Sequence, residues 1–243
     1  MSKCVYTYIM PNRKTPLVVG EYYHIYNRGN SKQKIFLDDQ DYDYFIKCLY
    51  CCNTCKSFTF REDIVKNGID AFDFDRDETL VSIGAWTLMP NHFHIYITMS
   101  HKSDLWLSLK KYKDKNKISE FMRKVCTAYA KYFNSKYNRT GGLFESKFKS
   151  THINNNNQAK YLFSYIHLNC VKLIQKDWKE NGINDVEKAL DFISKYKWSS
   201  YKDYHINERR YAKILDLEVF PKYFSNIKDF DKEILIWLKY KEA

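Results

Sequence analysis

Apolar and polar positions along the chain alternate in some stretches and recur at helical spacing in others. Residues 21–28 read EYYHIYNR, an aromatic-rich run that stops at Gly29-Asn30 and predicts a strand followed by a turn. Residues 38–55 begin with carboxylates, which suit a helix N-terminus, and carry Tyr42, Phe45, Ile46 and Leu49 at helical spacing. Residues 80–89 and 92–99 predict a second and third strand joined by a Pro90-Asn91 turn. Phe121, Val125, Ala128, Tyr129 and Tyr132 mark a helix over 118–137, and Asn138–Gly142 (NRTGG) a turn. Residues 144–153 predict a fourth strand, Asn154–Asn157 (NNNN) a polar break, and 158–173 a third helix. Residues 1–20 predict an irregular arm, 57–79 an acidic excursion, and 101–117 a lysine-rich connector.

The resulting order, β-α-β-β-α-β-α, contains the two β-α-β halves of a split β-α-β unit. The expected fold class is α+β, a ferredoxin-like antiparallel sheet with helices packed on one face and a mostly helical C-terminal tail. The expected division is a domain over 21–174, interrupted by the excursion at 57–79, and an extension over 175–243. No internal repeat points to a solenoid.

Charge narrows the partner. The net charge of +11 favours a polyanion, nucleic acid before an anionic membrane. The surplus is clustered: residues 38–80 carry 11 Asp/Glu against 5 Lys/Arg, whereas residues 110–150 carry 12 Lys/Arg against 3 Asp/Glu. Clustering on one segment is the better footprint of phosphate binding. Lys110, Lys111, Lys113, Lys115 and Lys117 belong to it, and a solvated lysine-rich loop accounts for them equally well. No apolar run approaches a membrane span and no apolar signal core opens the chain, so a cytoplasmic protein with no membrane partner is expected. The seven cysteines are then expected as reduced thiols. Cys48, Cys51, Cys52 and Cys55 imitate a zinc motif, but on one helix the outer pair stand about 10 Å apart, too far for thiolates each about 2.3 Å from one ion. A buried apolar stripe is the expected reading.

The sharpest chemical signal is Pro90-Asn91-His92-Phe93-His94-Ile95-Tyr96-Ile97. On a strand His92, His94 and Tyr96 share one face, and Phe93, Ile95 and Ile97 the other. Two imidazoles at this spacing are able to share a metal ion, although two strand histidines in ordinary hydrogen bonds satisfy the pattern as well. Tyr165 and Asn169 in YIHLN are i, i+4 partners on one helix face, and Tyr161, a turn earlier, is a rival to Tyr165. Lys147 and Lys149 alternate on the predicted fourth strand and suit phosphates, as do Arg28 and Asn30 after the first. Tyr22, Tyr26 and Trp198 are candidates for stacking on unpaired bases.

Five segments in order carry a family resemblance: YHIYNRGN (23–30), MPNHFH (89–94), NRTGGLFESKFK (138–149), YIHLNCV (165–171) and WSSY (198–201). Together they resemble the REP-associated tyrosine transposases, relatives of the insertion-sequence-200-like transposases in the single-tyrosine HUH group. The resemblance spans about residues 21–204 and departs from the family pattern at the excursion 57–79 and at Cys170, where the family usually has proline.

It implies a DNA transposase-type endonuclease that cuts and rejoins single-stranded DNA near hairpins through a 5′-phosphotyrosine. Tyr165 matches the nucleophile and His92 and His94 the metal ligands, with Asn169 at the position of a third. Magnesium or manganese suits imidazole, amide and water ligands, with zinc not excluded by any rule of sequence. A homodimer and no nucleotide cofactor are expected. The competing readings are a hairpin or single-stranded DNA binding protein that does not cleave, and a phosphodiesterase that uses water and leaves Tyr165 a bystander.

Overall fold

The computed structural model describes residues 16–99, 116–206 and 208–240; most of the predicted N-terminal arm and of the lysine-rich connector lies outside them. A four-stranded antiparallel sheet organises the molecule, in the order β2-β3-β1-β4, with β1 Tyr22–Arg28, β2 Val81–Met89, β3 His92–Met99 and β4 Lys149–Ile153. This is the ferredoxin-like arrangement expected from the element order: each β-α-β half leaves a gap between its strands that a strand of the other half fills.

One face carries the main core. Tyr23 and Ile25 of β1, Trp86 and Leu88 of β2, and Phe93, Ile95 and Ile97 of β3 pack against α1 (Asp39–Cys51) and α2 (Lys117–Lys136). Alternation along β3 places the bulky apolar residues here and the histidines opposite. The α1 N-terminus is held by a capping box in which Asp38 accepts from Asp41 N–H and Asp41 accepts from Asp38 N–H. Cys48, Cys51, Cys52 and Cys55 are buried free thiols in this core. The predicted helix over 38–55 stops at Cys51 because Asn53 leaves the helix to serve β2: its Oδ1 accepts from Leu80 and Val81 N–H, and its Nδ2 donates to Val81 C=O.

The opposite face is also covered, which corrects the expectation of helices on one face only. α3 (Asn156–Leu168) lies across it and buries Ala159, Leu162, Phe163 and Ile166 against Ala85, Tyr96 and Phe220. Tyr96 is thus a core residue, although it shares a face with His92 and His94. A β-bulge between Ile83 and Ala85 marks the close approach of the tail: a Cβ on Gly84 would stand 3.0 Å from the rings of Phe220 and Tyr96.

The chain after α3 forms α4 (Trp178–Asn181), α5 (Val186–Lys195), α6 (Tyr201–His205) and α7 (Ile227–Lys239). Phe230, Ile234 and Leu238, one turn apart on α7, pack on Leu168, Val171 and Trp178. Between α5 and α7 the chain returns to the outer edge of β2. There Leu88 N–H donates to Trp198 C=O, Ser200 N–H to Trp86 C=O, and Asp216 N–H to Ile83 C=O, each at 2.9 to 3.0 Å. These bonds occupy main-chain groups that an edge strand otherwise presents for pairing with other chains.

The acidic excursion packs Ile64, Ala71 and Phe72 into the main core. Its Asp70 and Asp73 pair with Arg210, and Asp73 also with Lys213, so its negative charge is partly met by basic residues of the tail. The predicted fourth strand is shorter than expected. Phe144 bridges Gly29, and Asn27 Nδ2 then donates to Ser146 C=O; the chain bends there and enters the sheet at Lys149. Among the described residues no helix is long and apolar enough to cross a membrane.

Candidate active site

The sheet register brings three histidines together. On the face opposite the main core, Tyr22, His24, Tyr26 and Arg28 of β1 stand beside His92, His94 and Tyr96 of β3, with Tyr26 paired to His94 and Arg28 to His92. Lys149, the first residue of β4, pairs with Tyr26 and so belongs to the same face. His24 was not singled out in the sequence, yet its Nε2 lies 2.8 Å from His94 Nδ1, with the two rings stacked at 4.9 Å. The signal was present: Tyr22, His24 and Tyr26 alternate on a strand, so His24 had to share a face with its aromatic neighbours. His92 Nδ1 lies 2.6 Å from Asn91 Oδ1, and the His92 and His94 rings are 5.0 Å apart.

α3 delivers Tyr165 to this face. Its ring meets His94 at 5.4 Å and His24 at 5.9 Å, edge-on in both cases. Tyr161, the rival tyrosine, turns to the tail instead: its ring packs on Trp237 at 4.7 Å, and its hydroxyl accepts from Lys179 Nζ at 3.4 Å. Lys179 Nζ also stands 4.6 Å from the centre of the Tyr165 ring, a cation placed over the candidate nucleophile.

Asn169 opens a tight 3-10 turn, Asn169–Leu173, that follows α3. The turn forms without a proline at position 170. Cys170 takes that position, fully buried, with its thiol directed at His167 C=O. Asn169 is 2% exposed, and neither atom of its side-chain amide has a hydrogen-bond partner among the described residues. A buried amide left unpaired costs about 1–3 kcal/mol; Asn169 follows the helix one turn beyond Tyr165, the side chain that meets His94. It lies near enough to the Tyr165 hydroxyl to favour ionisation, short of hydrogen-bond geometry. Burial has the larger influence and leaves the phenol pKa raised, with Tyr161 adding to the rise.

His167, on α3 between Tyr165 and Asn169, is fully buried and meets Ser200 Oγ at 2.8 Å. Ser200 Oγ in turn accepts from Trp86 N–H of β2 at 3.0 Å. The WSSY segment therefore ties the C-terminal turn of α3 to the sheet.

Burial holds these imidazoles neutral. The pKa of His24 is lowered to about 4 by desolvation; that of His92 is also lowered to about 4, by desolvation and then by the cations of Lys172 and Arg28. His94 lies well below its usual value, through burial and the neighbouring His24 and His92. Neutral imidazoles keep a lone pair for a metal. His167 is lowered by burial to about 3. Each ring resists protonation in the folded protein but accepts a proton near 6.5 when unfolded. Below that pH the unfolded chain therefore binds more protons than the folded one, and stability falls as pH falls. For the metal-free protein the guanidinium midpoint is expected to drop as pH falls from 6.5 to about 4, the unfolding free energy losing up to about 1 kcal/mol per pH unit for each histidine. A midpoint that stays constant from pH 7 to 5 would contradict this burial.

The candidate phosphate contacts are distributed unevenly. The Arg28 guanidinium is paired with Glu145, its Nη2 donating to Oε1 at 2.7 Å. Asn30 is exposed in the turn after β1. Lys147 is exposed but precedes β4, so it does not alternate with Lys149 on a strand as expected, because the chain bends at Ser146. Trp198 is not available to a base, since it stacks on Tyr42 at 4.7 Å within the core. Among the described residues no group of three His, Cys, Asp or Glu side chains is arranged to hold a metal ion.

No family model and no curated protein matches the chain. Among solved structures, a REP-associated tyrosine transposase bound to a REP hairpin aligns over 89% of this chain and 92% of its own, with 13% identity and a TM-score of 0.46. A candidate transposase from Deinococcus radiodurans R1 aligns over 63% of this chain and 93% of its own, with 14% identity and a TM-score of 0.32. Likeness at these levels assigns no function, and the functional reading rests on the site.

Proposed function

We propose that the protein is a metal-assisted, single-tyrosine transposase-type nuclease that cleaves and rejoins single-stranded DNA beside hairpins, in the manner of the REP-associated tyrosine transposases it resembles. The observation that carries this reading is the convergence of Tyr165, His92 and His94 on one sheet face, with the buried amide of Asn169 one helical turn beyond Tyr165.

His92, His94 and Asn169 fit a divalent cation of the magnesium or manganese kind: two neutral imidazoles and an amide oxygen leave coordination positions for water and phosphate. Such a cation, when bound, supplies charge withdrawal from the scissile phosphate. The remaining chemistry belongs to the chain. The Tyr165 hydroxyl oxygen attacks phosphorus in line; the new O–P bond forms as the bond to the 3′ oxygen breaks. The phenol proton passes to water, and the departing 3′ oxygen takes up a proton from water. The DNA 5′ phosphate is then held on Tyr165, and attack by a 3′ hydroxyl reverses the step and joins strands without a nucleotide cofactor. Lys149 on the site face, together with Lys147, Asn30 and Arg28 at its rim, is assigned to the DNA backbone, and Tyr26 to an unpaired base.

Incubating the protein with Mn²⁺ and labelled single-stranded hairpin oligonucleotides from the flanks of its gene, then denaturing, tests this reading. A DNA-labelled protein band is expected. Bound but uncut DNA would replace the reading with that of a non-cleaving hairpin-binding protein. Cut DNA without a protein-linked band would replace it with hydrolysis by water.

A further inference from the structure

The geometry points to His24 as a positioning residue that accepts the Nδ1 proton of His94 and thereby keeps the other nitrogen of that ring, Nε2, as the one open to a cation; the assignment rests on the metal-site reading above. A neutral imidazole has one N–H and one lone pair. Of the two nitrogens that meet at 2.8 Å, His24 Nε2 and His94 Nδ1, one therefore carries the proton and the other accepts it. With the proton on His24, His94 would accept at Nδ1 and carry its own proton on Nε2, which could then bind nothing positive. With the proton on His94 Nδ1, Nε2 presents a lone pair.

His92 shows which alternative suits a shared site. Its Nδ1 faces Asn91 Oδ1 at 2.6 Å, and a carbonyl oxygen only accepts. His92 therefore carries its proton on Nδ1 and its lone pair on Nε2. The same tautomer at His94 makes the two rings equivalent, each with Nδ1–H anchored by a neighbour and Nε2 open. An anchored N–H fixes ring orientation and raises the basicity of the opposite nitrogen, and loss of such a partner typically weakens metal binding about 10- to 100-fold. His24 is placed behind the ligands rather than among them, because its Nε2 is engaged with His94 Nδ1. Its place follows from the register: His24 pairs with Tyr96 and His94 with Tyr26, which makes the two histidines diagonal neighbours on one face.

Two measurements on the full chain without DNA decide the matter. Titration of Mn²⁺ by calorimetry is expected to give a Kd about 10- to 100-fold weaker for His24→Phe, which keeps a ring but no acceptor. His24→Gln, whose amide oxygen can accept the same proton, is expected to stay within about threefold of wild type, less than the loss of the partner produces. Equal affinity of His24→Phe and wild type would overturn the assignment. Equal weakness of the Gln and Phe variants would also overturn it, by making the imidazole of His24 itself a ligand. The second measurement needs no variant and no metal: the long-range proton–nitrogen spectrum of wild-type imidazoles should show His94 protonated on Nδ1 and bare on Nε2. The reverse tautomer would sink the proposal even if Mn²⁺ binds. If wild type binds no Mn²⁺, the metal reading fails, while the tautomer still decides whether His24 accepts from His94.

Discussion

Replacing Tyr165 by phenylalanine is expected to abolish the protein–DNA adduct and to lower strand cleavage by about 10³-fold or more, the scale seen when a covalent nucleophile is removed. The substitution deletes one oxygen and keeps the ring that packs edge-on against His94 and His24, so the fold and DNA binding should survive. Tyr161→Phe is the matched control. Its ring faces Trp237 rather than the histidines, and its loss should leave cleavage within about threefold of wild type, far from the effect of removing a nucleophile. An adduct that persists in Tyr165→Phe and disappears in Tyr161→Phe would transfer the role to Tyr161.

The second large effect concerns stability. Asp41 is fully buried at the start of α1, yet its carboxylate accepts from Leu37 N–H, from Tyr137 hydroxyl and from Lys136 Nζ, each at 2.8 Å. Asp41→Ala removes these acceptors together and ends the reciprocal cap with Asp38. Removing one partner of a buried ion pair typically costs about 3–5 kcal/mol. Lys136 is 22% exposed and keeps Asp38, which places the expected loss near the lower figure, about 3 kcal/mol. For a chain of this length that corresponds to a melting point lower by about 6–12 °C, measurable by calorimetry. A change of less than about 1 kcal/mol would show that Asp41 contributes little more than an exposed ion pair.

Asp41 also shows how far the sequence could be read. Acidic residues at 38–43 were legible as a helix start, because carboxylates favour that end whatever surrounds them. That one of them is the buried hub between α1 and α2 depends on Tyr132, Lys136 and Tyr137, more than 90 residues away, which no local pattern reveals. The same division runs through the fold. β1, β2 and β3 were legible nearly to the residue because alternation and the Pro90-Asn91 turn are local. The end of α1 was not, because Asn53 answers to β2, and the late start of β4 was not, because Asn27 and Gly29 hold the chain at 144–146. The second covered face escaped because a helix reads as amphipathic without naming the surface it covers. At the site, H-x-H and the i, i+4 pair Tyr165 and Asn169 were visible as spacings. His24 was visible only as one residue in an aromatic strand, and its meeting with His94 required the register of β1 on β3.

The outer edge of β2 has a consequence for timing. Ser200 meets Trp86 across 114 positions of chain, and the same serine holds His167 on the helix that bears Tyr165. During synthesis the sheet can assemble and the histidines can align well before this segment leaves the ribosome. Until it does, β2 is an open edge able to recruit another chain, and the Tyr165 helix lacks one of its anchors. Maturation of the candidate site therefore depends on contacts of high sequence separation, which form late and slowly. A nascent chain stalled before residue 198 would already carry Tyr165, His92, His94 and Asn169, with neither the clasp that seats the helix nor the strip that seals the sheet.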